Sequence, residues 1–160
     1  KYPNITTLVS NEENLILSLK KADIVISSVL LPGAKAPKLI KKAYYKYMKK
    51  GSVIVDVAID QGGSTEVSKP TTHDNPVFTY GGVIHYCVAN MPGIVPKTST
   101  IALNLATLKF GLEIANKGLE KAIQDNDAIK HGLNTYHGYI THKEVSEAFD
   151  YHYTPFELLK

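Results

Sequence analysis

Apolar residues in the first 60 positions alternate between two spacings, one typical of buried strands and one of amphipathic helices. Short runs rich in β-branched residues occupy positions 5–9, 23–31 and 53–59. Runs of this length and composition are typical of strands buried in a parallel sheet. Between them, apolar residues recur at helical spacing up to about Lys21 and again after Ala36-Pro37, where proline suits a first helical turn. The order β-α-β-α-β predicts parallel strands joined by right-handed crossovers.

Helix ends and turns support this assignment. Ser10-Asn11 is a plausible N-cap for the first helix, and the two glutamates after it suit the N-terminal end of the helix dipole. Further along, Val77–Tyr80 and Val83–Val88 are two more strand candidates, separated by Gly81-Gly82. The predicted fold class is therefore α/β, with a mainly parallel sheet.

The pattern becomes helical after residue 97. Helical spacing predicts a long helix that Thr98 can cap and that ends near Gly118. A second, more polar helix is predicted over Leu119–Ile129, and a short one near Lys143–Phe149. The change of pattern predicts two parts of the fold, residues 1–97 and residues 98–160.

Residues 51–63, GSVIVDVAIDQGG, carry the most distinctive chemistry of the chain. Two carboxylates interrupt the apolar run, and the second, Asp60, falls where the predicted strand ends. In open α/β sheets, ligands bind in the crevice outside the carboxyl ends of the strands. The loops after Leu31 and Val88 leave the same edge, so we expect a crevice there. Asp60 is a candidate general acid or base, or alternatively a residue that caps a turn before Gly62-Gly63.

The other polar residues of the predicted strands suggest structural roles. Asp56 is out of phase with the edge of the crevice, so we expect it to be buried. His85 and Cys87 alternate along a strand with Tyr86 and Val88. We expect both to be packing residues rather than reactive groups.

Composition narrows the functional classes. The chain has 160 residues, of which 44% are hydrophobic and 21% charged, as is normal for a soluble globular protein. The net charge of +3 is small and gives little support to nucleic-acid binding. No apolar run approaches the ~20 residues of a membrane-spanning helix. The single cysteine, Cys87, excludes an internal disulfide and fits a reducing compartment, so we expect a cytoplasmic protein with neither nucleic acid nor membrane as partner.

Several motifs, in a consistent order, resemble one known family. They are SVLLPGAKAPK at 28–38, GSVIVDVAIDQGG at 51–63, PTTH at 70–73, HYCVANMPG at 85–93 and PKTST at 96–100. These segments look like bacterial alanine dehydrogenase. The resemblance implies a Rossmann-type NAD domain inserted within a catalytic domain, and the reversible NAD-dependent oxidative deamination of L-alanine to pyruvate and ammonia. Residues 1–97 would be the C-terminal half of the NAD-binding domain, and residues 98–160 the helical C-terminal segment of the catalytic domain.

The resemblance also implies roles for residues by their position. Asp60 corresponds to the family's catalytic aspartate, and Asn90 lies near the substrate, L-alanine or pyruvate. Lys69 stands where relatives have a basic residue that touches the cofactor. The residues that the resemblance places at the NAD cofactor are Ser10, Val29, Leu30, Val57, Ala58, Ile59, Asp60, Lys69, Val88, Ala89, Asn90 and Met91.

The chain departs from the family in several features. It contains no G-x-G-x-x-G motif, so the phosphate-binding first βα turn is absent. The acid that holds the adenosine ribose would lie just upstream of Lys1, and the family's catalytic lysine and histidine belong to its N-terminal domain. Lys117 stands where some relatives place a histidine metal ligand, so we predict no metal site. Because the chain does not begin with Met, we expect it to start inside a longer protein. Because it lacks the glycine turn and the residues that the resemblance places in the N-terminal domain, we expect it to be inactive by itself.

Two alternatives stay open. The NAD-binding subunit of proton-pumping transhydrogenase is similar in its PGxxAP and GSVIVD elements, although its relatives lack an acid at the position of Asp60. A non-catalytic assembly module is the second alternative, because the apolar face of the helix after Thr98 needs a partner to cover it. For the complete enzyme the resemblance implies a homohexamer, with the missing N-terminal portion of the same enzyme as partner of this chain.

Overall fold

The protein consists of two compact units in a computed structural model that describes residues 3–32 and 34–159. Lys1–Leu31 and Lys35–Met91 form the first unit, and Pro32–Ala34 and Pro92–Lys160 form the second. Within the described residues, no helix combines the length and the apolar character that a membrane span requires. The assignment of residues 1–97 to a cofactor domain and of 98–160 to a catalytic domain stays a prediction.

The first unit contains a four-stranded sheet in the order β1-β2-β4-β3. Its strands are β1 (Ile24–Ser27), β2 (Val53–Asp56), β3 (Val77–Tyr80) and β4 (Val83–Tyr86). β1, β2 and β4 run parallel, whereas β3 is antiparallel to β4. The predicted parallel pairing is therefore confirmed for β1 and β2. Gly81 and Gly82 join β3 to β4 with positive φ at both positions, as a tight hairpin turn requires.

Helical elements pack on one face of this sheet. Helix α1 (Glu12–Lys21) begins as predicted at Asn11, whose Oδ1 accepts a hydrogen bond from the backbone N–H of Asn14 at 2.8 Å. Ile24 and Ile26 lie on the other face of β1 and are exposed. The core beneath α1 combines residues from α1, the following loops and the sheet, namely Leu19, Ile40, Tyr44, Tyr45, Met48, Ile54 and Val83.

The prediction of a first strand at residues 5–9 is wrong. This segment pairs with no described strand, and Ile5, Leu8 and Val9 are exposed. A strand is stable only when a neighbour accepts and donates its backbone hydrogen bonds. The outer edge of β1 has no such neighbour among the described residues. The third parallel strand is β4 instead.

The predicted second helix is much shorter than the pattern suggested. Only Lys42–Tyr47 is helical, as a 3-10 helix. The N–H of Ile40 donates to the carbonyl of Ser64 at 3.2 Å, and the carbonyl of Ile40 accepts from the N–H of Glu66 at 3.0 Å. These bonds use the backbone groups that a helix starting at Pro37 would need, so the segment before Lys42 stays non-helical.

The central strand also ends earlier than predicted. β2 stops at Asp56, and Val57–Gln61 forms a 3-10 turn. The turn is closed by bonds from the N–H groups of Gly62 and Gly63 to the carbonyls of Ile59 and Ala58, each 2.9 Å long. Both glycines have left-handed φ, 92° and 78°. Asp60 therefore lies on a turn beyond the strand. The strands predicted to reach Leu31 and Val88 likewise end early, at Ser27 and Tyr86.

The second unit is mostly helical, as predicted. Its elements are α2 (Pro96–Lys117), α3 (Leu119–Asp125), α4 (Asp127–His131), the hairpin β5 (Thr135–Tyr136) and β6 (Tyr139–Ile140), and α5 (Lys143–Phe149), with 3-10 turns at Met91–Ile94 and Phe156–Leu158. α2 starts before Thr98 and has no side-chain cap, which corrects the predicted cap. The helix predicted over 119–129 is divided at Asn126, whose Oδ1 accepts from the N–H of Ala128 at 3.0 Å. No residue of α2 is buried, and Leu105 is 79% exposed.

His85 is a buried histidine in β4. Its ring stacks on Phe78 and Tyr45, with centroid distances of 4.7 and 5.5 Å. The residue is 0% exposed, and neither ring nitrogen has a hydrogen-bond partner among the described residues. Burial lowers the pKa of His85 below its usual value, and the nearby Asp56 opposes this shift only partly. The predicted packing role of His85 is confirmed.

This pKa predicts an acid-sensitive stability. The unfolded chain takes up a proton at this histidine near its ordinary pKa of about 6.5, whereas the folded chain takes it up only at lower pH. The free energy of unfolding should therefore fall as the pH drops below about 6.5, by at most about 1.4 kcal/mol per pH unit for one group. Urea denaturation at pH 8, 7, 6 and 5 measures this pH dependence of the free energy of unfolding. In His85→Phe, which keeps a ring in the stack, the free energy of unfolding should depend less steeply on pH. The same pH dependence in this variant and in the unmodified chain would contradict the prediction.

Candidate functional site

A cleft of about 280 Å³ opens at the carboxyl ends of β1 and β2. Because these strands are parallel neighbours, with Ser27 opposite Asp56, the loops that follow them leave the same edge of the sheet. One wall is the loop after β1, with Ser28, Val29 and Leu30, and the other is the 3-10 turn after β2. The residues of the turn that line the cleft are Val57, Ala58, Asp60 and Gln61.

The structure separates the roles of the two carboxylates of the central stretch. Asp56 is buried and accepts three hydrogen bonds, from the N–H of Ser64 at 2.8 Å, the hydroxyl of Ser64 at 3.1 Å and the hydroxyl of Ser68 at 2.5 Å. Its predicted burial is confirmed. Asp60 is exposed on the cleft wall and accepts no hydrogen bond from a described residue. It therefore does not cap the turn before Gly62, and its carboxylate is available to a ligand.

Part of the cleft is lined by apolar side chains. Leu30 is 63% exposed and Val57 is 46% exposed, although both are large hydrophobic residues. With Val29 and Ala58 they give two apolar walls beside one carboxylate. The buried side-chain oxygen of Gln61, which also belongs to the wall, has no hydrogen-bond donor among the described residues. The cleft therefore offers a ligand apolar surface beside one exposed carboxylate.

The loop after β4 is the third predicted part of the site. β4 is parallel to β2, so this loop also leaves the carboxyl edge of the sheet. Val88 is buried and forms a bridge with Thr71, whereas Ala89 and Asn90 are exposed and Met91 is half-buried. Asn90 has a left-handed φ of 57°, which asparagine adopts more easily than most residues. None of these residues lines the described wall of the cleft.

Three further predicted cofactor residues lie outside the cleft wall. Ser10 is exposed just before α1, and Ile59 is buried, 3% exposed, on the inner side of the turn. Lys69 is exposed, and its ammonium lies 4.8 Å from the centre of the Phe78 ring. This cation–π contact gives Lys69 a structural partner in β3. A role for these residues stays a prediction.

Sequence reasoning missed several residues that build the site. Ser28 and Gln61 line the cleft, and each is a direct neighbour of a residue that was predicted. Lys38 was quoted within a motif but given no role, yet its ammonium donates to the carbonyls of Gly62 and Gly63. Ser64 and Ser68 carried no signal, because their hydrogen bonds to Asp56 depend on the fold of the loop.

Cys87 and Lys117 show no sign of site chemistry. Cys87 is 0% exposed, and burial raises the pKa of its thiol to about 11, so the predicted packing role is confirmed. The ammonium of Lys117 lies 2.9 Å from Glu113 and 3.1 Å from Asp125, and Lys117 holds the pKa of Glu113 below its usual value. Within residues 3–32 and 34–159, no group of three His, Cys, Asp or Glu side chains is arranged to hold a metal ion.

Comparisons with known proteins agree on one group of relatives. The family model described as "Alanine dehydrogenase/PNT, C-terminal domain" matches residues 2–143. Alanine dehydrogenase 2 of Staphylococcus aureus (strain USA300) is 53% identical over 154 residues, which are 96% of this chain and 41% of the relative. Among solved structures, an L-alanine dehydrogenase superposes with a TM-score of 0.72 at 44% identity, covering 88% of this chain and 39% of that one.

A second solved structure is more distant. The transhydrogenase from Sinorhizobium meliloti superposes with a TM-score of 0.52 at 33% identity, covering 60% of this chain and 28% of that one. The chain thus spans about two fifths of the length of the alanine dehydrogenases that it matches.

Proposed function

The chain belongs to the family of alanine dehydrogenase/PNT C-terminal domains, and on this premise we propose that it is the C-terminal portion of an NAD-dependent L-alanine dehydrogenase. The overall reaction converts L-alanine, NAD⁺ and water to pyruvate, ammonium, NADH and a proton. When bound, NAD accepts the hydride that leaves the α-carbon. What this chain contributes is the cleft at the carboxyl ends of β1 and β2, which would form one side of the site in which that transfer takes place.

The observation that carries the proposal is the position of Asp60. It is an exposed carboxylate on an apolar cleft at the carboxyl edge of the parallel strands, free of structural hydrogen bonds. Such a group can take a proton from the water that adds to the imine carbon and return it to the departing nitrogen. The buried Asp56 cannot do this, because Ser64 and Ser68 occupy its oxygens.

We propose that the remaining residues divide between the two ends of the cofactor. Val29 and Leu30 provide the apolar surface at the adenosine end, with Ser10 nearby, and Val57, Ala58 and Ile59 contact the nicotinamide end together with Asp60. Asn90 can donate to and accept from the carboxylate of alanine. The further proposed contacts on the nicotinamide side are Lys69, Val88, Ala89 and Met91.

Three features of the complete enzyme are also proposed from the family. The phosphate-binding glycine turn and the catalytic lysine and histidine would come from an N-terminal portion, with residues 1–97 completing its NAD domain and residues 98–160 its catalytic domain. The exposed apolar surface of α2 supports this, since Leu105 is 79% exposed in the chain as it stands. We propose that the enzyme is cytoplasmic and assembles as a homohexamer.

A chimera tests the proposed function. The part of S. aureus alanine dehydrogenase 2 that this chain does not match is joined in front of residue 1, at the boundary given by the 53% identical alignment. The chimera should reduce NAD when L-alanine is added, as followed by NADH absorbance, and the chain alone should not. A folded chimera that binds NAD but does not oxidise L-alanine would contradict the proposal. Hydride transfer from NADH to NADP⁺ without alanine would favour the transhydrogenase alternative.

A further inference from the structure

The segment after β1 lies alongside the segment that follows the 3-10 turn Val57–Gln61. The N–H of Ala36 donates to the carbonyl of Gln61 at 2.9 Å, Ile40 exchanges backbone bonds with Ser64 and Glu66, and the N–H of Lys42 donates to the carboxylate of Glu66 at 2.7 Å. A series of hydrogen bonds therefore connects residues 36–42 to residues 61–66. All of these bonds have a backbone donor.

Lys38 makes the remaining connection with its side chain. Its ammonium donates to the carbonyl of Gly62 at 2.5 Å and to the carbonyl of Gly63 at 2.7 Å. Both glycines have a left-handed φ, and no described backbone N–H of the 3-10 turn donates to either carbonyl. In the described part of the chain, no other donor reaches either oxygen.

We propose that Lys38 is a positioning residue for Asp60, an inference that rests on the proposed function of the cleft. Asp60 and Gln61 directly precede the two glycines whose carbonyls Lys38 holds. Lys38 itself does not line the described cleft, so it can act on Asp60 only through the glycine carbonyls that follow Gln61. A long cationic side chain is required here, because in the described part of the chain no backbone N–H donates to either carbonyl.

The chemistry of these bonds fits a local role rather than a contribution to global stability. Hydrogen bonds from an ammonium to a carbonyl are roughly twice as strong as neutral ones. Lys38 is nevertheless exposed, so water can solvate the two carbonyls when the ammonium is lost. The bonds should therefore contribute little to the free energy of unfolding of the whole chain. Loss of the ammonium should therefore loosen the turn that carries Asp60 while leaving the sheet intact.

Amide hydrogen exchange on the 160-residue chain tests the local role without any assay of activity. In Lys38→Met, the amides of Gly62 and Gly63 should exchange about tenfold faster, because the turn opens more often. The amide of Ile84, which bonds to Ser52 within the sheet at 2.9 Å, should be unaffected. Lys35→Met is the matched control, since Lys35 is exposed and bonds to no described residue. Unchanged exchange at both glycines would overturn the inference. If the amide of Ile84 also loses protection, Lys38→Gln replaces the Met variant in the same comparison.

Kinetics of the chimera test the link to Asp60. Lys38→Met should lower kcat about tenfold or more, as expected when a reacting group loses its geometry, while KM for NAD changes less than about twofold. Lys38→Arg keeps a cation and should restore most of the loss, and Lys35→Met should behave like the unmodified chimera. Equal losses in kcat and in NAD affinity, without rescue by arginine, would overturn a positioning role. A folded, unmodified chimera that binds NAD but lacks activity would sink the proposed function, whereas the exchange experiment would still decide the contact made by Lys38.

Discussion

Asp60→Asn is expected to lower the kcat of the chimera by about a hundredfold to ten-thousandfold, the range that a lost general acid or base costs. Asparagine has nearly the same shape as aspartate but cannot exchange a proton. Asp60 accepts no hydrogen bond from a described residue, so its replacement should leave the turn and the cleft wall unchanged. The variant should therefore lose turnover while it keeps the fold of the unmodified chimera.

Two measurements separate this prediction from a general loss of structure. Calorimetric titration with NAD should give a Kd within about threefold of the unmodified chimera, because Val29, Leu30 and Val57 still form the apolar walls. Asp74→Asn is the matched control, since Asp74 is an exposed aspartate on a loop of the same unit. Turnover by Asp60→Asn equal to that of the Asp74 variant would remove Asp60 from the mechanism.

Gly63→Ala is expected to destabilise the first unit by about 3 kcal/mol, from crowding together with a left-handed backbone. A Cβ at this position would lie 2.4 Å from the Cβ of Ser68 and 2.9 Å from Oδ2 of Asp56. Both neighbours are fixed by the hydrogen bond between them, so neither can move without breaking it. The φ of 78° adds strain for any residue with a side chain.

Gly62→Ala is the control that isolates the crowding. Gly62 has a similar φ of 92°, but nothing lies within 4 Å of the Cβ it would gain. Its cost should be limited to the backbone strain, about 1 kcal/mol. Urea-induced unfolding followed by circular dichroism measures both variants. If the two lose the same stability, the contact with Ser68 and Asp56 does not restrict position 63.

Local elements were predictable from sequence where a short pattern contains all the partners of the element. The first helix was predicted with its cap, because Asn11 and Asn14 are three positions apart and their bond needs nothing else. The turn at Gly81-Gly82 was predictable for the same reason, since the two strands of a hairpin are close together in the sequence. The motif around residues 51–63 also indicated Asp60 as the exposed acid and Asp56 as the buried one.

Two elements that depend on distant partners were predicted wrongly, although the parallel pairing of β1 and β2 was predicted correctly. Residues 5–9 have the composition of a strand but no neighbour to pair with. Ile40 fits a helical pattern, yet its backbone bonds to residues 24 to 26 positions further along the chain. The convergence of the loops at one edge was expected from parallel topology, but only two of the three predicted loops line the described cleft.

The sequence by itself determined the class of fold, the identity of the relatives and the acid at the centre of the candidate site. These depend on residue types at short spacings, which a chain displays whatever its conformation. Only the tertiary structure decided that Ser64 and Ser68 hold Asp56, and that Lys38 holds the turn bearing Asp60. The physical reason is that hydrogen bonds between distant segments form only where the backbone brings donor and acceptor within about 3 Å. No local pattern encodes that distance.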